Sequence, residues 1–585
     1  MEKSQYKSAP VLKDLIRAAK GDEPVDIVIK GGAFLDVLGG RFVAGDVAIK
    51  NGIIVGVVDS YEGEQILDLG GDYLVPGFID AHVHIESSLM VPGRFQEAVM
   101  PLGTTSIIWD PHEIANVWGS AGIDWALECS EQLLLDAYVM VPSCVPSTSP
   151  SMQLESSGAQ LEASDIRRFQ SHPKVLGLAE MMNFPGLLSF DEDVLQKMMD
   201  YSHLKRDGHC PGLSGKALSA YAVAGVHSCH ESVSLQEAKE KLLKGIHTLI
   251  REGSCAKDAE ELLPLVDEYT SSVVGLCSDD RNPSDIYAEG HINYIINMGL
   301  KSGKRPEDMF RVASYAAARL YGLGDRGVIA PGYVADLVRV RKNSNDWRDG
   351  FQVVSVLKRG HPVSSQNLKV DPPAPKKTKN LVIDKTVPNS FVINCQGSVA
   401  KARVIEVIPN QILTNQIIED VNAKNGDVQI DLAKDILKIA VLERHHGSQE
   451  KMTALVKGFD LKRGAIATSI NHDSHNIIAV GASNEDLSEA VNLLIEQDGG
   501  IVVYDPRGGS GSLELPYGGL MSNKSPSEIA AAINRLKSQT KGLGCRLAEP
   551  FLQLSFLALP VIPSLKITDQ GLVDVDQFKK VDVIL

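Results

Sequence analysis

Gly77-Phe78-Ile79-Asp80-Ala81-His82-Val83-His84 closes an apolar run that begins at Tyr73. Residues two apart on a β-strand point to the same face. His82 and His84 can therefore offer two imidazole nitrogens to one metal ion with little loop entropy to overcome. Imidazole suits Zn, Fe, Ni and Cu. Taken alone, such a pair reads more often as two strand or core histidines. Its setting matters, because the C-terminal end of a barrel strand is where barrel enzymes place their chemistry.

Outward from this stretch, residues 74 to 325 alternate apolar runs with helical patterns. Strand-like runs end near Asp80, Asp110, Pro146, Asn183, Cys210, Glu231, Ser254 and Asp280, with amphipathic segments such as Ser234 to Gly245 and Ala256 to Glu268 between them. Eight βα units in about 250 residues is the length of a (β/α)8 barrel. Upstream, residues 26–30, 42–44, 47–49 and 53–58 read as short strands joined by Gly31-Gly32, Gly39-Gly40 and Asn51-Gly52 turns. Residues 332–340 and 351–357 read as strands too, and the two sets can pair into one small domain. Pro372-Pro373-Ala374-Pro375-Lys376-Lys377 reads as a linker. Beyond it, mixed strands and helices include a capped helix from Ser483 to Gln497. The expected fold class is α/β. A (β/α)8 TIM-like barrel occupies 74–325, and a small flanking β domain is built from 1–73 and 326–370. A linker at 371–380 leads to a C-terminal α+β domain at 381–585.

A chain of 585 residues is too long for a single core. Its net charge of −16 argues against nucleic-acid or acidic-membrane partners. Met1-Glu2-Lys3-Ser4-Gln5 is polar with no signal-like apolar core after it, and no apolar run reaches the roughly 18 residues needed to span a membrane. Eight cysteines without a CxxC pair suggest a reducing cytoplasm rather than disulfides or a structural zinc.

Polar residues gather at the run ends: His82, His84 and Glu86; Asp110, His112 and Glu113; Glu180; His209; His230 and Glu231; Asp279 and Asp280. Each has a bland alternative. His209 or His230 alone reads more often as a satisfied core or loop histidine, Glu180 equally as a buried salt-bridge partner, and Asp279-Asp280-Arg281 equally as a solvated turn. Together, four histidines and two or more carboxylates on one rim suit two metal ions better than one, which needs only three protein ligands.

This pattern resembles the amidohydrolase superfamily of metal-dependent barrels. Pro76 to Ser88, Asp110-Pro111-His112-Glu113-Ile114-Ala115-Asn116-Val117, Asp207-Gly208-His209, Leu213-Ser214-Gly215 and Ser278-Asp279-Asp280-Arg281 resemble the bacterial and archaeal adenine deaminase family. Leu461 to Ala467 and His472 to Ile478 resemble that family's extra domain, so the likeness runs from about residue 25 to the end. Glu180 stands where many superfamily relatives have a carbamylated lysine. The resemblance implies deamination of adenine to hypoxanthine and ammonia in purine salvage, by a hydroxide held between two divalent ions, Mn(II) or Fe(II). It implies His82, His84 and Asp279 on the first ion, His209 and His230 on the second, and Glu180 bridging both.

Glu113 is expected to carry a proton to N1 with a pKa raised by burial, Asp279 to protonate the departing amine, and His112 to hydrogen-bond the intermediate. Glu86 is the alternative carrier. Trp109 and Phe184 are candidate base-stacking partners or plain core residues. Cys229 stands where the family usually has aspartate, which brings the orientation of His230 into question. His445, His446, His472 and His475 either line the site or serve structure. Free adenine is the expected partner, with no nucleic acid or membrane, in the cytoplasm, and the resemblance implies a homodimer or larger assembly. The alternative is another amidohydrolase acting on a different purine or a cyclic amide.

Overall fold

A computed structural model describes residues 8–585, so the polar Met1 to Gln5 stretch lies outside the described residues. Eight parallel strands pair in chain order: β1 (Phe78–Val83), β2 (Thr104–Trp109), β3 (Asp136–Val141), β4 (Val175–Met181), β5 (Lys205–Gly208), β6 (Ser228–Cys229), β7 (His247–Arg251) and β8 (Val274–Cys277). The barrel closes where the Asp279 N–H donates to the His82 carbonyl at 3.0 Å and Val83 bridges Asp279 in parallel. All but the first residues of β5 and β7 are buried, as expected for strands covered on both faces.

Ile79, Ala81, Ile108, Met140, Ala179 and Leu249 fill the interior, and the segment around Ala317–Leu320 plugs its lower end, with the Tyr321 hydroxyl donating to the Ala81 carbonyl at 2.8 Å. The pairing of β1 with β2 slips between Asp80 and Val83. Ala81 belongs to the interior cluster while Val83 packs in the outer one, so the slip re-phases the strand and lets His82 and His84 face inward.

The two β pieces do pair. Tyr73–Pro76 lies antiparallel to Leu337–Lys342, with Pro76 opposite Leu337 and Tyr73 opposite Val340. The six-stranded sheet they share also holds Ala33–Asp36, Arg41–Ala44, Phe351–Lys358 and His361–Pro362. Tyr73–Pro76 therefore belongs to this sheet rather than to a barrel starting at 74. A helix at Ala9–Lys20 and strands at Ala33–Asp36 and Gly63–Asp68 add to the expected elements.

The segment read as one helix from Ala256 to Glu268 is a single turn, Ala259–Leu262, followed by a 3-10 turn at Leu263–Leu265. Pro264 supplies no N–H for a longer helix. The third run ends its strand at Val141, before Pro146. Asn484–Glu496 is helical, and Ser483 caps it by accepting from the Asp486 N–H.

The barrel floor and the small sheet are joined by a buried ion cluster. The Lys358 ammonium lies 2.7 Å from both Asp136 and Asp336 and donates to the Thr105 carbonyl at 3.0 Å. Arg326 also reaches Asp136. Removing one partner of such a group strands the others in low dielectric, so Lys358→Met is expected to destabilise the fold by about 3–5 kcal/mol in denaturant unfolding.

The C-terminal region forms a nine-stranded, mainly antiparallel sheet packed with helices Asn484–Glu496 and Pro526–Leu543. The chain from 366 to 387 carries no helix or strand. It lies along the barrel, where the Lys377 ammonium donates to the Val117 carbonyl at 2.7 Å and the Trp125 indole to the Pro373 carbonyl at 3.2 Å. Among the described residues, no helix is long and apolar enough to cross a membrane.

Candidate metal centre

Strand ends and the residues just after them bring six side chains to one buried point. The His82 and His84 Nε2 atoms are 3.0 Å apart. Asp279 Oδ1 lies 3.6 and 3.2 Å from them, and Glu180 Oε1 3.8 and 3.3 Å. The other Glu180 oxygen, Oε2, is 2.6 Å from His209 Nδ1 and 3.2 Å from His230 Nε2. One carboxylate thus divides its oxygens between two histidine groups.

Local structure aims these groups. The His84 Nδ1–H donates to the Asp110 carbonyl at 3.1 Å, which leaves Nε2 unprotonated and able to bind a cation. The His209 N–H donates to the Tyr221 hydroxyl, which donates to the Met181 carbonyl at 2.8 Å, locking β4 to β5 at the rim. Gly208 is required there, because a Cβ would sit 2.7 Å from the Ser228 carbonyl. Burial raises the Glu180 carboxyl, but the imidazoles of His209 and His230 outweigh it and hold the group well below the usual carboxylate range. Asp279 is likewise raised by burial and lowered further by His82 and His84. Imidazoles and ionised carboxylates converging within 4.8 Å form a donor set that fits divalent metal ions.

The second ring of contacts contains residues that the sequence reading left out. Arg251, ending β7, donates to Glu231 and, at 3.0 Å, to Asp279 Oδ2, and its Nε donates to Asp258 at 2.9 Å. A charged residue ending an apolar barrel strand was the available signal. Glu231 Oε1 lies 3.6 Å from His230 Nε2. The pocket over the centre is lined by His112, Glu113, Asp280, His472 and Asp473, and roofed by Ile412, Phe556 and Leu559 of the C-terminal domain. The aromatic ring there is Phe556, stacked on His472 at 4.4 Å.

Neither Trp109 nor Phe184 lines the pocket. Trp109 is core, and its indole N–H donates to Glu86 at 3.0 Å. Glu86 takes a second hydrogen bond from the Ile114 N–H, so it faces helix His112–Trp118 rather than the pocket. Burial pushes its carboxyl up to about 7. Glu113 differs from expectation: burial raises it, but His472, His475 and His112 outweigh burial and hold it well below the usual range.

The Cys229 sulfur lies 3.7 Å from that of Cys210. Cys229→Ser is expected to keep the wild-type metal content, measured by elemental analysis. His445 and His446 hold backbone carbonyls of Ser474 and Ser157, while His472 and His475 reach Glu113.

A closed parallel barrel with this rim is that of a metal-dependent amidohydrolase, and the Amidohydrolase family matches residues 73–363. The Adenine deaminase C-terminal domain matches residues 411–579. A protein named adenine deaminase from Brucella melitensis is 43% identical over 569 residues, covering 97% of this chain and 96% of its own. Adenine deaminase 1 of Rhizobium meliloti is 42% identical over 567 residues, covering 97% and 99%. The adenine deaminase of Cereibacter sphaeroides is 43% identical over 572 residues, again covering 97% and 99%. The chain belongs to the adenine deaminase family.

Proposed function

We propose that this protein hydrolyses adenine to hypoxanthine and ammonia, with His82, His84 and Asp279 holding one divalent ion, His209 and His230 a second, and Glu180 both. The observation that carries the reading is the division of Glu180's two oxygens between the two histidine groups, in a chain of this family. Two bound cations supply the charge that lowers the pKa of water from 15.7 towards about 7 and stabilises developing anions.

The chain's own groups manage the protons. Glu113, kept ionised by its histidines, takes one proton from the attacking water and passes it to purine N1 as the oxygen bonds C6. Asp279 then moves the remaining hydroxyl proton to the amine. The C6–N bond breaks, ammonia leaves and a C6 carbonyl remains. The His112 Nδ1–H is paired with Asp110 at 3.1 Å, while Nε2 faces the pocket, 3.4 Å from Glu113 Oε1 and 3.6 Å from Asp473 Oδ1, where it can contact the developing centre.

Arg251 is the one arginine lining the pocket, and it is bound to three carboxylates. That favours a neutral free base over a phosphorylated nucleotide. The donor set suits Mn(II) or Fe(II), which we take as the native ions. The family resemblance also supports purine salvage in a cytoplasmic homodimer.

Metal-free protein, reconstituted separately with Mn(II), Fe(II) and Zn(II), is expected to regain ammonia release from adenine at two ions per chain. Binding of two ions with no turnover of adenine would move the assignment to another amidohydrolase substrate.

A further inference from the structure

Resting on that reading, we infer that the C-terminal domain supplies part of the active site, with His475 as a positioning residue for the Glu113 carboxylate. Glu113 lies in the first turn of helix His112–Trp118, fully buried, on a side chain with three rotatable bonds. The His475 Nε2–H donates to Glu113 Oε2 across 362 residues of sequence.

The tautomer is set by the loop itself. The Asn471 N–H donates to His475 Nδ1 at 3.3 Å, so the ring proton sits on Nε2. The loop is held at both ends by strands Ala465–Thr468 and Ile477–Gly481. Its far side is clamped by Arg444, a buried guanidinium that donates to the His475 carbonyl and, at 2.9 Å each, to the carbonyls of Asn380 and Gly518.

The other Glu113 oxygen, Oε1, pairs with His472 Nδ1 at 2.7 Å and lies 3.4 Å from His112 Nε2, in the pocket that Glu113 lines. One oxygen is therefore anchored by His475, and its twin stands in the pocket between His472 and His112. Anchoring restricts the carboxylate to one rotamer, which is how positioning contributes to rate.

The test compares His475→Gln with His475→Asn in the metal-loaded protein. Both are polar and buried, but only the glutamine amide nitrogen falls where Nε2 stands; that of asparagine mimics Nδ1. Gln is expected to hold kcat within about tenfold of wild type, while Asn loses roughly 10- to 100-fold, with KM for adenine and the two bound ions little changed. In a Glu113→Gln background, His475→Asn is expected to add no further loss, because it acts only through Glu113. Equal kcat for the Gln and Asn variants, or a loss that multiplies with Glu113→Gln, would overturn the assignment. Wild-type protein without adenine turnover in the same assay would instead sink the underlying reading.

Discussion

Glu180→Ala is expected to lower adenine turnover by at least about 10³-fold and to prevent retention of two ions per chain. The two oxygens of Glu180 reach both histidine groups, at 2.6–3.3 Å to His84, His209 and His230. On the proposed assignment, its removal would take away a ligand from each ion and a negative charge that offsets both. Charge stabilisation by such ions amounts to several kcal/mol, and each 1.36 kcal/mol is tenfold in rate. Ammonia release and elemental analysis on the same preparation check it. Two tightly held ions with near-normal turnover would mean that Glu180 is not the bridge.

Glu113→Gln should lower kcat by roughly 10²- to 10⁴-fold, the range for loss of a positioned acid–base group, while both ions stay bound. The amide keeps the shape but cannot take a proton from water. Glu86→Gln is the control. Glu86 has the pKa nearer neutrality, yet it is spent on the Trp109 indole and the Ile114 N–H and does not line the pocket. Its change is expected to lower stability and leave kcat close to wild type. A large kcat loss in Glu86→Gln with none in Glu113→Gln would reverse the two roles. On this expectation a pKa near 7 is a poor guide by itself, because Glu113 lines the pocket and Glu86 does not.

The reading of Glu113 illustrates what a linear sequence hides. Burial alone raises a carboxyl, and burial was predictable from the apolar run before it. The outcome is the reverse because His472 and His475, more than 350 positions downstream, fold against it. No local signal in either segment names the other as its partner. Arg251 was missed for a related reason, since its role emerges only when Glu231 and Asp279 are seen to converge on it.

Local chemistry was legible throughout the barrel. Apolar runs separated by amphipathic segments set the βα repeat, and polar residues at the run ends marked the rim, because barrel enzymes place their chemistry at the C-terminal ends of the strands. The spacing of His82 and His84 put them on one face. What put that face inside was the slip in the β1–β2 pairing, a property of two strands together. The pairing of Tyr73–Pro76 with Leu337–Lys342 and the roof of Ile412, Phe556 and Leu559 were likewise decided in three dimensions. By itself, then, the sequence determined the barrel, its rim and the candidate donors after strands β1, β4, β5, β6 and β8, since these follow from periodicity and side-chain type within short windows. Only the tertiary structure decided strand phase, the ionisation of Glu113 and the C-terminal domain's entry into the site, because each depends on groups that meet through packing between distant segments.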